Sequence, residues 1–254
     1  MNFGRINVGS SNFVQGMKAI IPPAIWAWLY RKLVIKDIPS AGAYAPHYQP
    51  WREPQFKASY HKIQNCTCCP ADSVYMLTAL AQKSLILPGH VMEAGVWKGG
   101  TAKVLLHLIR EHSKLNQKDL FLFDSFEGMK NTTAEVDRHL VGDFSDTSSE
   151  SVQQFLGKDE RVHYRKGWIP ETFGGLESKS FCFAHIDLDL YQSVKDCLEF
   201  AYPRMSKGGI IVLDDYGYAS CPGAKKGADE FFADKTEKVL PLHTGQGIVS
   251  ISCA

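Results

Sequence analysis

Two apolar runs of this chain stop abruptly at carboxylates, and that pairing constrains the fold more than any other feature. Phe181-Cys182-Phe183-Ala184 leads into His185-Ile186-Asp187-Leu188-Asp189-Leu190-Tyr191, and Gly209-Ile210-Ile211-Val212-Leu213 leads into Asp214-Asp215-Tyr216. Short apolar runs of this kind read as strands buried on both faces. As neighbours in one parallel sheet they deliver both clusters to its carboxyl edge, where open α/β sheets bind ligands. Packed carboxylates repel one another, and a hard divalent cation held by oxygen relieves the repulsion. Any one of these Asp residues could simply cap the helix that follows it. Four of them at two strand ends read as a functional cluster.

The rest of the chain supports such a sheet. A helix capped by Asp72 is predicted to run to about Leu87, with Val74, Leu77, Ala81 and Leu85 on one stripe and Pro88-Gly89 ending it. Strands are predicted at 90–96, 120–123, 161–165, 181–186 and 209–213, and helices at 99–112, 150–156, 191–205 and 223–233. A long polar loop runs from 124 to 149, and 238–242 with 247–252 reads as a closing hairpin. Repeated β-α units of this length imply a three-layer α/β domain with a mostly parallel sheet and an antiparallel hairpin at its edge. That domain is assigned to 71–254. Residues 1–70 are rich in Pro, Gly, Tyr and Trp, show little periodicity, and read as an irregular N-terminal extension with the character of a lid.

Composition excludes several classes. With 28 basic and 27 acidic residues the formal charge is +1, and no basic block with interleaved aromatics is present, so nucleic acid is not an expected partner. The apolar stretch from Ala19 to Tyr30 is too short to span a bilayer, is interrupted by Pro22-Pro23, and offers no small-residue cleavage site. A helix is predicted over 23–33. Its aromatics are candidates for a substrate cover, a homodimer contact or a membrane-surface contact, alongside packing on the chain's own core. Seven cysteines, an odd number, fit a reducing cytoplasm better than a disulfide framework. Cys66-Thr67-Cys68-Cys69 contains a C-x-x-C pair near His61, but no second half follows at zinc-site spacing, so ordinary thiols in a loop are expected.

Glu93-Ala94-Gly95-Val96-Trp97-Lys98-Gly99-Gly100-Thr101 joins the first strand of the alternating region to its helix. Its G-x-x-x-G-G spacing is not the dinucleotide G-x-G-x-x-G, which argues against a pyrophosphate ligand and a nicotinamide dehydrogenase. Glu93 beside such a turn suits a cationic group, and S-adenosylmethionine carries an ammonium and a sulfonium. Asp124, at the end of the second strand, is placed to accept hydrogen bonds from ribose hydroxyls, or to cap. Trp168, after Gly167, offers an aromatic face to adenine or a core ring.

With these residues in hand, the chain resembles the macrocin O-methyltransferase family, class I S-adenosylmethionine-dependent enzymes that methylate sugar hydroxyls of natural products. The resemblance rests on 93–101, Asp124-Ser125-Phe126-Glu127-Gly128, Gly142-Asp143-Phe144, Gly167-Trp168, Asp187-Leu188-Asp189-Leu190-Tyr191, and Gly208-Gly209 through Asp214-Asp215-Tyr216, in collinear order over about 71–252. It implies a Rossmann-like class I methyltransferase fold and a magnesium site from Asp187, Asp214 and Asp215, with Asp189 as general base. It also implies cofactor contacts from Glu93, Gly95, Gly99, Gly100, Thr101, Asp124, Ser125 and the Trp168 loop. If the strand persisted to 189, Asp187 and Asp189 would share a side; His185 would share it too and reads as a structural histidine rather than the base. Gln246, between two glycines of the hairpin, is a candidate acceptor contact. The expected acceptor is a small molecule with a sugar hydroxyl; a catechol-type reaction on vicinal phenols and a non-catalytic binding protein on the same fold are the alternatives.

Overall fold

A computed structural model describes residues 48–112, 117–130 and 132–252, together with 21, 22, 25, 28 and 29. Met1–Gln49 and Pro50–Ala254 are separate compact units. In the first, Ile25, Trp28 and Leu29 are helical; the remainder of the helix expected over 23–33, with Trp26, Tyr30 and Tyr44, lies outside the described residues. No helix among the described residues is long and apolar enough to cross a membrane.

The second unit opens with α1 (Pro54–His61) and α2 (Ala71–Ser84) and then alternates. β1 (His90–Ala94), α3 (Gly100–His112), β2 (Leu120–Asp124), α4 (Ser149–Leu156), β3 (Val162–Lys166) and β4 (Phe181–Ile186) are followed by α5 (Tyr191–Ala201), β5 (Met205–Leu213), α6 (Pro222–Phe231), β6 (Leu240–Pro241) and β7 (Gly247–Ser250). The sheet order is β3-β2-β1-β4-β5-β7-β6, with β1 to β5 parallel and β7 antiparallel to both neighbours. The order reverses between β1 and β4, the switch point at which doubly wound sheets open a crevice.

Alternation along the strands builds two cores. Phe121, Phe123, Ile211 and Leu213 pack against α5 and α6, while Leu120, Leu122, Ile210 and Val212 pack against α2 and α3. The stripe Val74, Leu77, Ala81 and Leu85 is buried as its spacing requires. Residues 50–70, read as extension, belong to this same unit because Ile63 and Cys69 pack on Val74.

Several element boundaries differ from expectation, among them the first parallel strand, which stops at Ala94 rather than at the expected Val96. Asp72 is not the cap of α2: Pro70 holds that position, and Asp72 sits in the first turn with Oδ1 accepting the Ser73 N–H at 3.1 Å. The helix expected over 191–205 stops at Ala201, because Pro203 can only enter a tight 3-10 turn, Tyr202–Arg204, after which Met205 opens a longer β5. The closing hairpin is also shorter than its apolar pattern, with a two-residue β6.

Register levels the strand ends. Ala94, Ile186 and Leu213 lie side by side, and the ladder continues one step further, through Asp187 N–H to Ala94 O at 2.8 Å and Asp214 N–H to Ile186 O at 2.9 Å. Gly95, Asp187 and Asp214 therefore emerge together at the carboxyl edge.

Candidate active site

A cavity of about 630 Å³ opens over this edge, within the range of sites that enclose a cofactor-sized ligand. Gly95, Thr101, Asp124, Ser125 and Trp168 line it from one side; Asp187, Asp189, Asp214 and Asp215 line it from the other. Gly95 has φ +86°, and a Cβ there would collide with the Asp187 carbonyl oxygen, so only glycine lets the β1 turn pass β4 so closely. Asp124 holds that turn: Oδ2 accepts the Val96 and Trp97 N–H groups at 2.7 and 2.8 Å, and Oδ1 accepts Phe126 N–H at 2.7 Å. Lys130 Nζ stands 5.3 Å from the centre of the Trp168 ring.

Other residues expected to contact the cofactor are placed elsewhere. Gly99 and Gly100 are not on the cavity wall. Their missing side chains make room for protein: a Cβ on Gly100 would approach Cys66 O to 2.6 Å, and on Gly99 the Val152 side chain to 3.0 Å. Glu93 is also withdrawn from the cavity. It is fully buried, with Oε1 2.8 Å from His185 Nδ1, and its Oε2 has no hydrogen-bond partner. The reason is register, since Glu93 pairs with His185 inside the sheet rather than at its edge.

At the acidic end, the nearest carboxylate oxygens of Asp187, Asp214 and Asp215 lie within 4.8 Å of one another. Asp214 is 4% exposed and heavily partnered: Oδ1 accepts Gln246 Nε2 at 2.7 Å and faces His185 Nε2 at 3.5 Å, and Oδ2 accepts the Cys69 thiol at 3.4 Å. Burial pushes its carboxyl up, but the His185 hydrogen bond and charge, with help from Gln246 and Cys69, outweigh that and hold it below the usual carboxylate value. Asp187 and Asp215 have weaker help, the His185 charge for the first and the Asp189 N–H and Cys221 thiol for the second. Burial, and then the neighbouring carboxylates, raise both well above the ordinary range. His185 is pushed down by burial and up, more strongly in sum, by Asp214 and Glu93, so its imidazole is held well above its ordinary value between them. Gln246, expected against the acceptor, instead lies buried beneath the site, donating to Asp214 and to Ser73 O.

Asp189 reaches the cavity by a different route from the one the extended pattern implies. The strand ends at Ile186, and Asp189 takes φ +58°, so the alternation linking Asp187, Asp189 and His185 does not extend that far. Its N–H donates to Asp215 Oδ2 at 3.0 Å, while Oδ1 accepts the Cys221 thiol at 3.2 Å and faces His139 Nε2 at 3.5 Å. His139 Nδ1 in turn meets Asp143 Oδ2 at 3.1 Å. His139, Cys221 and the 66–69 loop line the cavity, and sequence reasoning missed them as site residues. For His139 the signal present was its four-residue spacing from Asp143, within the Gly142-Asp143-Phe144 motif.

The sheet order, the glycine turn at the switch point and the level strand ends define the class I O-methyltransferase fold. The solved structure of the O-methyltransferase NovP superposes with a TM-score of 0.63 at 19% identity, covering 90% of this chain and 99% of that one. Calicheamicin methyltransferase CalS11 gives 0.59 at 17% identity, covering 82% and 99%. The sequence profile of the macrocin-O-methyltransferase (TylF) family matches residues 77–239, and the chain belongs to that family. Among its relatives, an 8-demethyl-8-(2,3-dimethoxy-alpha-L-rhamnosyl)-tetracenomycin-C 4'-O-methyltransferase of Streptomyces olivaceus is 30% identical over 149 residues, which is 54% of this chain and 57% of that protein. Mycinamicin III 3''-O-methyltransferase of Micromonospora griseorubida is 29% identical over 148 residues, 53% of this chain and 58% of that protein. The match thus spans less than two thirds of these relatives.

Proposed function

We propose that the chain is an S-adenosylmethionine-dependent, divalent-cation-dependent O-methyltransferase acting on a hydroxyl of a sugar or glycosylated natural product. The observation that carries this reading is the meeting of a glycine turn and an acidic trio in one cavity at the switch point. Family membership supports methyl transfer, and the sugar positions named for the two relatives support the acceptor class. A cytoplasmic setting fits the six described cysteines, all of them free thiols.

The donor set fits a hard cation: three carboxylates converge, and burial together with their mutual repulsion raises two of them above the ordinary carboxylate range. A cation held there would supply Lewis acidity toward a bound hydroxyl, and S-adenosylmethionine would supply the methyl group. The chain's own contributions are these. Asp187, Asp214 and Asp215 would hold the cation, and His185 and Gln246 keep the Asp214 carboxyl low and fixed. Gly95 lets the turn pass β4 closely enough to shape the cofactor pocket, Thr101, Ser125 and Trp168 wall that pocket, and Asp124 holds the turn that forms it. Asp189 Oδ1 accepts the hydroxyl proton; burial raises its carboxyl, which makes it a stronger base than an exposed Asp. Alignment of this kind supplies roughly 7–11 kcal/mol in well-oriented cases.

The test is transfer of a labelled methyl group to a panel of glycosides, nucleotide-linked sugars and catechols, with magnesium or with a chelator. Label on a sugar that disappears with the chelator is the expected result. Label on catechols alone removes the sugar assignment, and chelator-insensitive transfer removes the cation.

A further inference from the structure

The C-x-x-C segment has no zinc-site second half in sequence, but the fold brings one to it. Gly100 N–H donates to Cys66 O at 2.8 Å, which pins the 66–69 loop over the start of α3 and against the cavity. Cys69 is thereby buried, with Sγ 3.4 Å from Asp214 Oδ2 and 3.7 Å from Asp187 Oδ2. Among the described residues, that thiol is the only hydrogen-bond donor on the Asp187 carboxylate, which otherwise faces the cavity without a partner.

We propose that Cys69, with Asp187 and Asp214, forms a mixed sulfur–oxygen site that binds thiophilic divalent cations of the zinc and cobalt type. The inference rests on the cation site of the proposed function and changes its chemistry from all-oxygen to one soft donor. Spacing supports it. Two ligand atoms on one tetrahedral ion, at zinc–sulfur and zinc–oxygen bond lengths, stand about 3.5 Å apart, and the two sulfur–oxygen separations bracket that value. Softness supports it as well, since thiolate selects zinc and its neighbours where carboxylate and water alone suit magnesium. On binding, the S–H proton leaves to solvent as the sulfur–cation bond forms, and no electron changes hands.

Cobalt(II) titrated into the whole protein with a non-thiol reductant tests this through the near-ultraviolet sulfur-to-cobalt charge-transfer band. Wild type, Cys66→Ser and Cys68→Ser are expected to show the band. Cys69→Ser is expected to lose it and to bind cobalt at least tenfold more weakly, with its fold checked by circular dichroism. Asp187→Asn, which keeps the thiol, is expected to weaken cobalt by a similar factor. A band that survives Cys69→Ser, a band abolished by Cys66→Ser, or cobalt affinity unchanged by Asp187→Asn overturns the assignment. If cobalt binds wild type without a sulfur band while magnesium still supports methyl transfer, the thiol ligand falls and the proposed function stands. If neither cation binds, both fall.

Discussion

Gly95 and Asp189 show how much of the site depends on single backbone angles. Both lie in the left-handed region, one where glycine is at ease and one where an Asp is held by its neighbours. Gly95→Ala adds a methyl against the Asp187 carbonyl at an unfavourable φ. A loss of about 1–3 kcal/mol is expected from the strained angle alone, together with weakened S-adenosylhomocysteine binding; urea unfolding and calorimetry check the two effects. A Gly95→Ala variant as stable as wild type would mean that β1 and β4 are not this close. Asp189→Asn leaves the turn and its N–H bond to Asp215 intact and removes only the basic oxygen. Retained S-adenosylhomocysteine binding with turnover down roughly 10²–10⁴-fold is expected. Near-wild-type turnover would move the base elsewhere, with His139 the nearest candidate.

Elements are tied together across the sheet by the buried chain Glu93–His185–Asp214, one residue from each of β1 and β4 and one from the end of β5. Removing the middle member strands two buried carboxylates. His185→Leu is therefore expected to cost about 3–5 kcal/mol, the range for breaking a buried ion pair, read as a fall in the urea midpoint; a change under about 1 kcal/mol would show that the chain carries little load. A second tie is Asp159, before β3, which accepts from Arg161 at 2.8 Å and from Arg110 of α3 at 2.8 Å. The Arg161 hydrogen bonds, with a smaller one from Arg110, depress its carboxyl against a modest opposing push from burial. A depressed folded-state value means stability that is present above about pH 4, the ordinary Asp value, and is lost as pH falls through the folded value. Asp159→Asn should thus cost on the order of 1–2 kcal/mol at pH 7, and thermal melts at falling pH should show the gap to wild type closing below pH 4. The strands β2, β4 and β5 were legible in the sequence because each carries an apolar run buried on both faces, whereas β3, Val162-His163-Tyr164-Arg165-Lys166, is polar and only partly buried and was placed by the β-α alternation around it. Other features were not legible: Pro203 cuts the helix α5 short, and Glu93 looks like an edge residue until register places it against His185. Legibility of the site divides the same way. Asp187, Asp214 and Asp215 follow directly from strand ends, whereas Cys69, His139 and the inward role of Gln246 depend on loops whose positions are set by contacts distant in sequence, such as Gly100 N–H to Cys66 O.

At the scale of the whole molecule, the acidic edge is a store of repulsion that a cation would release. Asp187, Asp189 and Asp215 all have folded-state carboxyls raised above their ordinary values, with burial the first cause in each. A raised acid binds its proton more tightly folded than unfolded. Stability from these groups is therefore greatest below about pH 4 and falls as pH rises from there toward the folded values. A divalent cation bound there would replace those protons and remove the penalty, so its stabilising effect is expected to grow with pH. Magnesium at a hundred times its dissociation constant adds about 2.7 kcal/mol, roughly 5–10 °C in Tm for a domain of this size. The shift should be present at pH 8, shrink toward pH 5, and be reversed by a chelator. Asp215→Asn sharpens the prediction because it must act in two directions. In chelator at pH 8 it should melt above wild type, having lost one of the crowded charges. In magnesium it should melt below wild type, having lost a ligand. If the two melting curves keep the same order in both solutions, repulsion does not shape this edge and the carboxylates are not gathered there for an ion.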